Sequence, residues 1–157
     1  MRRLAAFLTL AVTVLPLAAR AQEAWPDPGS TAPAAARQLA ADVNAARVAH
    51  GLPPLALDAR LSRFGLALAE AMERRHYFGH TDPDGVTFAD RVRAAGLLDH
   101  FAAENIALDV DEQRANTALL HSPGHYRNIM DPRARTLGVA AVYGEGGELL
   151  FVEEFGG

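Results

Sequence analysis

The sequence predicts one α+β domain in which helices pack on an antiparallel sheet. Three observations lead there. Apolar residues recur at helical spacing through the first half of the chain, two β-prone runs close it, and a Gly-rich segment joins those runs as a hairpin. At 157 residues, half of them apolar, the chain can bury one substantial core.

The chain begins with Arg2 and Arg3, continues as an apolar run from Leu4 to Ala19, and reaches the small-x-small triplet Ala19-Arg20-Ala21. That is the pattern of a secretory signal peptide over residues 1–21, too short for a membrane anchor of about 20 apolar residues. The expectation is a protein secreted to the periplasm or the medium. No later segment is apolar enough to span a bilayer. The chain has no cysteine, which excludes disulfides and lipid attachment through a thioether. Losing residues 1–21 removes Arg2, Arg3 and Arg20 and no acid, so the formal charge moves from −4 to −7. An acidic domain without a single lysine is a poor match for nucleic acid or anionic membrane.

Residues 22–33 carry Pro26, Pro28, Gly29, Ser30 and Pro33 and read as a linker. The folded domain is expected over 34–157. A first helix starts at Ala34 with Leu39, Val43 and Ala46 on its core face. Gly51 and then Pro53-Pro54 end it. Asp58 caps a second helix with Leu61, Phe64, Leu68 and Met72 inward, ending near Arg74–His76. Asp82-Pro83-Asp84-Gly85 suits a type I turn. Thr87 and Asp90 form a capping box for a third helix whose core face is Phe88, Val92 and Ala95, closed by Gly96. Glu104 to Leu108 is strand-like, and 111–120 is helical. Ser122-Pro123 then opens a last helix, with Ser as N-cap and Pro at N1, running to about Met130. Thr136–Tyr143 and Glu148–Phe155 are the closing strands, joined through Gly144-Glu145-Gly146-Gly147.

Chemistry centres on histidine. Of six, His80 follows Gly79 and leads into a tight turn, and His125 sits at N3 of the Ser-Pro helix. The positive potential of a helix start disfavours imidazolium, so His125 leans to the neutral form that binds metal or acts as a base. The Asp-Pro-Asp-Gly turn lacks the further acids of a calcium loop. Zinc-protease helices, nucleophile elbows and phosphate loops are absent, and so is any cysteine nucleophile. Ser122 is accounted for by its N-cap role. Glu104, on its own, reads as an exposed charge.

Several segments taken together change that reading. They are Asn44-Ala45-Ala46-Arg47, Leu52-Pro53-Pro54-Leu55, Phe78-Gly79-His80-Thr81-Asp82-Pro83-Asp84-Gly85, Glu104-Asn105-Ile106-Ala107, His121 to Met130 and Leu137-Gly138-Val139-Ala140. In this order the chain resembles the CAP superfamily of cysteine-rich secretory, antigen 5 and pathogenesis-related 1 proteins, in a short bacterial form, over about Leu39 to Phe155. The resemblance implies an α-β-α sandwich around a central antiparallel sheet. It implies a cleft holding His80, Glu104 and His125, with His121 and Ser122 beside them. Many relatives complete a tetrad with a second Glu on the helix before the Gly-His segment. Here Ala118-Leu119-Leu120-His121-Ser122 offers no acid, and Ala103 replaces the usual Gly before Glu-Asn-Ile.

Three functions follow from the resemblance. His80, His125 and Glu104 could hold a divalent metal such as Zn2+ and support hydrolysis. The cleft could instead bind a small hydrophobic, lipid-like ligand or an extracellular partner without turnover. The cluster could also serve the fold alone in the cell envelope. With the second acid missing, a binding module, monomeric and non-catalytic, is favoured over a metal-dependent hydrolase.

Overall fold

A computed structural model describes residues 26–97 and 102–157. The expected signal peptide and His100 lie outside the described residues. The elements in chain order are α1 (Pro33–Ala49), β1 (Ala56–Leu57), α2 (Ala59–Arg75), α3 (Phe88–Ala94), β2 (Ala102–Asp109), α4 (Glu112–His121), α5 (Pro123–Ile129), β3 (Thr136–Tyr143) and β4 (Leu149–Gly156). The sheet has the order β1-β3-β4-β2.

The three long strands are antiparallel, as expected. The sheet is nevertheless mixed, because β1 pairs parallel with the start of β3. Two residues after a Pro-Pro step give no alternating pattern to read. The Ala56 amide donates to the Arg135 carbonyl and the Asp58 amide to that of Leu137. Asp58 then turns the chain into α2, its side chain accepting from the Arg60 amide.

Helices cover both faces of the sheet. On one face Leu39 and Val43 of α1, Ala115 and Leu119 of α4 and Ile129 of α5 pack on Leu137, Ala141, Phe151 and Phe155. On the other, Leu68, Ala69 and Met72 of α2 pack on Ile106, Val142, Leu150 and Val152. The two-residue period of β4 divides its side chains between these layers. β4 is buried on both faces along its whole length, which is why it reads as a nearly unbroken apolar run.

Helical spacing located the helices better than their core faces. On α1 the inward position is Arg47, fully buried, while Ala46 is only half-buried. On α2, Gly65 is buried and Phe64 half-buried. On α3 only Val92 is buried and Ala95 is exposed, because this helix is two turns long and buries a single residue. The segment before α1 lies along β3. The Gly29 and Ala32 amides donate to the Tyr143 and Ala141 carbonyls, and the Tyr143 amide donates to the Ser30 carbonyl.

α2 crosses β3 at Gly138. A Cβ on Gly138 would lie 2.2 Å from the Ser62 amide nitrogen and 2.3 Å from the Leu61 carbonyl carbon. Glycine lets the helix backbone rest on the strand.

Candidate functional site

α2 ends at His76 in the left-handed conformation, φ 52°, and the chain turns into the loop that carries His80. Asp82 organises this loop. Its carboxylate accepts from the Asp84 and Val86 amides, both at 2.9 Å, and its carbonyl accepts from the Gly85 amide. Arg75, at the end of α2, reaches Asp82 at 3.1 Å and Asp84 at 2.7 Å. The Asp-Pro-Asp-Gly segment is therefore a structural turn whose carboxylates are engaged by backbone and guanidinium. The capping box of Thr87 and Asp90 is formed and starts α3. One residue later α3 presents Arg91.

Arg91 is the residue around which the site closes. Its Nη2 donates to both Glu104 oxygens, at 2.9 and 2.7 Å, and its Nη1 donates to the His80 carbonyl at 2.8 Å. His80 Nδ1 lies 2.8 Å from Glu104 Oε1. Side-chain exposure falls from 48% at His80 to 1% at Glu104. The expectation of an exposed Glu104 is thus overturned: the carboxylate is buried, and its counter-charge comes from Arg91. Burial pushes the Glu104 carboxyl up, but hydrogen bonds from His80, Arg91 and Glu154 outweigh it and hold the group below its ordinary range.

Glu154 is the second acid of the site. It faces Glu104 across the β2–β4 ladder and is buried. Burial, and then the charge of Glu104, raise it well above the usual carboxylate range, so it keeps its proton and shares it with Glu104. The resemblance places a second acid on a helix; here it comes from the sheet.

The other face of the same ladder carries a second polar set. Asn105 pairs with Glu153 in register, and its Nδ2 donates to Glu153 Oε2 at 2.9 Å and to the His125 carbonyl at 3.3 Å. Asn128 of α5 donates to Asn105 Oδ1 at 2.8 Å and to the Glu104 carbonyl at 3.3 Å. These amides tie α5, and with it His125, to β2. Burial raises Glu153 to about 7.

His125 is half-buried at N3 of α5, with Nδ1 buried and without a hydrogen-bond partner. Its pKa is lowered, the direction expected, by burial first and the charge of His80 second. Ser122 occupies the N-cap position, but its side chain makes no cap hydrogen bond. His121 is exposed at the end of α4, with Nδ1 2.7 Å from the Thr117 carbonyl of its own helix. It lines a separate depression with Asp109, Arg114 and Thr117.

The sequence reading named His80, Glu104 and His125 and missed Arg91, Glu153, Glu154, Asn128 and the role of Asn105. One signal was available. Glu153-Glu154 stand inside the apolar run Leu149–Phe155, where both faces of a central strand are buried.

Zinc would need three converging donors with one open position. Among the described residues no three His, Asp or Glu side chains are grouped to hold a metal ion. Both Glu104 oxygens face Arg91, and His80 Nδ1 faces Glu104. The set His80, His125 and Glu104 does not fit a metal in this arrangement.

An apolar groove of about 260 Å³ lies elsewhere, between α1 and α2 beside β3. Ala36, Ala40, Leu57, Leu66 and Ala140 line it, with Arg37 and Arg63 alongside. None of the five residues expected in the cleft borders it.

Residues 40–155 match the family described as the cysteine-rich secretory protein family, CAP. The uncharacterized protein YkwD of Bacillus subtilis strain 168 is 33% identical over 100 residues, covering 63% of this chain and 39% of YkwD. The structure of an extracellular protein containing an SCP domain from Bacillus anthracis aligns with a TM-score of 0.70 at 28% identity, over 78% of this chain and 40% of that one. The chain therefore spans about two fifths of these two longer proteins. An outer surface protein of Borrelia burgdorferi shares the fold, with a TM-score of 0.73 at 20% identity, over 82% of this chain and 97% of that one. Among the described residues no helix is long and apolar enough to cross a membrane. The chain, although it contains no cysteine, belongs to the CAP, or cysteine-rich secretory protein, family.

Proposed function

We propose that this domain is an extracellular, non-catalytic binding module that takes a small lipid-like ligand in the groove between α1 and α2. The observation that carries the reading is the groove itself. It is open along β3, its walls are small apolar side chains, and its volume is close to the lower end of small-molecule sites. Arg37 and Arg63 stand beside it with no carboxylate partner among the described residues. In a domain this acidic, two unpaired guanidiniums next to apolar surface suit the head of an anionic amphiphile whose chain lies on Ala36, Ala40 and Ala140. An extracellular location agrees with the charged, apolar and small-residue order of residues 1–21 and with the names of the relatives.

The hydrolase alternative draws on the His80–Glu104 pair, in which a buried carboxylate orients a half-exposed imidazole. Binding is tested by titrating a fluorescent fatty-acid analogue, a sterol and a phospholipid into the purified protein. Saturable binding of one of them is expected, weakened about tenfold by reversing both charges in Arg37→Glu with Arg63→Glu. Absence of saturation for all three, or hydrolysis of a substrate panel that disappears in Glu104→Gln, would overturn the reading.

A further inference from the structure

A second hollow, of about 270 Å³, lies at the C-terminal end of α2. The left-handed His76 reverses the chain there. The Tyr77 amide donates to the Met72 carbonyl at 3.1 Å and the His76 amide to that of Glu73 at 3.2 Å. Tyr77 and Phe78 thereby border the same hollow as Met72. Met72 and Leu150, both buried, give it an apolar floor. Phe78 and Leu108 stand at its rim, 52% and 48% exposed. Large apolar side chains left this open beside a concavity mark a surface that can still bury area on a ligand.

The opposite wall is the β3–β4 hairpin. The Gly144 amide donates to the Glu148 carbonyl at 2.8 Å, and a Cβ on Gly144 would lie 2.8 Å from Glu148 Oε1. Glycine leaves that space to the carboxylate. Glu73, Glu145 and Glu148 all border the hollow, and no arginine does. Glu145 has His76 Nδ1 at 3.5 Å. Glu73 and Glu148 have no cation within ion-pair distance among the described residues. The groove at the other end of α2 has the reverse character, with Arg37 and Arg63 and no acid.

Carboxylates fix the sign of the ligand, and the aromatic and apolar walls fix its body. A hydrated metal ion gains nothing from the floor, and among the described residues no three His, Asp or Glu are grouped to hold one. An ammonium carried on an apolar skeleton satisfies both, its charge against the carboxylates and over the ring faces. We infer that this hollow is a binding site for a small organic ammonium cation, separate from the groove and from the His80–Glu104 pair.

The test is an NMR titration of the full protein with benzyltrimethylammonium, with benzyl alcohol and benzoate as neutral and anionic counterparts. Saturable shifts at Tyr77, Phe78 and Glu148 are expected with the ammonium alone. Glu73→Gln with Glu148→Gln should weaken binding about tenfold. Phe78→Ala should weaken it roughly threefold. Arg37→Glu with Arg63→Glu should leave it unchanged, which separates this site from the groove. Absence of saturation, equal binding of benzyl alcohol, or undiminished affinity in the double Gln variant would each overturn the inference. The comparison of the three probes decides it on the wild-type protein, whether or not a variant folds.

Discussion

Glu154 stands opposite Glu104 in the β2–β4 ladder, and the two buried carboxyls share one proton, Glu104 ionised by Arg91 and Glu154 kept neutral. On the reverse face Glu153 is buried against Asn105. Two neighbouring residues of β4 are therefore acids that resist ionisation.

The first prediction concerns alkaline pH. Burial raises Glu153 from its ordinary 4.5 to about 7. Between those values the native state holds a proton that the unfolded chain has lost. Its stabilising effect is thus complete below about pH 4.5 and disappears as pH rises through about 7. Glu154, also raised, acts in the same direction. Urea unfolding at pH 5 and pH 8 should show a loss of roughly 2–3 kcal/mol from Glu153 alone. Glu153→Gln, which retains an acceptor for Asn105, should remove most of that slope; an unchanged slope would refute the assignment.

The second concerns Gly138. Alanine there would press its Cβ into the backbone of Leu61 and Ser62, and backbone cannot yield as a side-chain tip can. Gly138→Ala should cost about 3 kcal/mol or more. Gly124 provides the contrast, since a Cβ there meets only the end of Arg127 at 4.0 Å. Gly124→Ala should stay within about 0.5 kcal/mol of wild type. Chemical denaturation of the two variants side by side checks both.

The third concerns Arg47. Its guanidinium is buried and donates to the carbonyls of Ile129 at 2.6 Å, Asp131 at 3.1 Å and Pro53 at 3.0 Å. It closes the C-terminal end of α5 from α1. Arg47→Ala should destabilise by about 3–5 kcal/mol and loosen α5, because buried carbonyls lose their donor. Amide exchange in α5 that remains as slow as in wild type would contradict this role.

The fourth concerns His125. Burial, and then the charge of His80, lower its pKa. An NMR titration should place the His125 midpoint below the ordinary 6.5, and His80→Ala should raise it only in part, because burial remains. A midpoint above 6.5 would contradict the burial of this ring.

Much of this architecture was legible in the sequence because its signals are local. Asp58, the Thr87–Asp90 box and Ser122-Pro123 mark helix starts to within a residue, and the last two strands announce themselves by composition. What escaped depends on partners far along the chain. β1 exists only by pairing with β3. Arg47 is core only because α5 ends over it. Arg91 reads as a surface charge on a short helix until β2 brings Glu104 beneath it. His125 was assigned a neutral ring from its helix position, and the direction holds, but burial is the leading cause. Ser122 holds the N-cap position that its sequence pattern predicts, yet its side chain makes no capping bond.

The placement of Glu104 against Glu154 and Asn105 against Glu153 also governs how the two strands find each other. Moving β2 by one residue along β4 would turn Glu104 toward the α1 and α5 layer and Asn105 toward α2. Arg91 would then meet no carboxylate, and Asn128 no amide. Such a slip would bury an uncompensated charge, whereas apolar neighbours such as Ile106 and Val152 would tolerate a shifted partner. Polar residues placed alternately on the two faces thus act as an alignment key for β2 on β4, rejecting the nearest wrong pairing during folding.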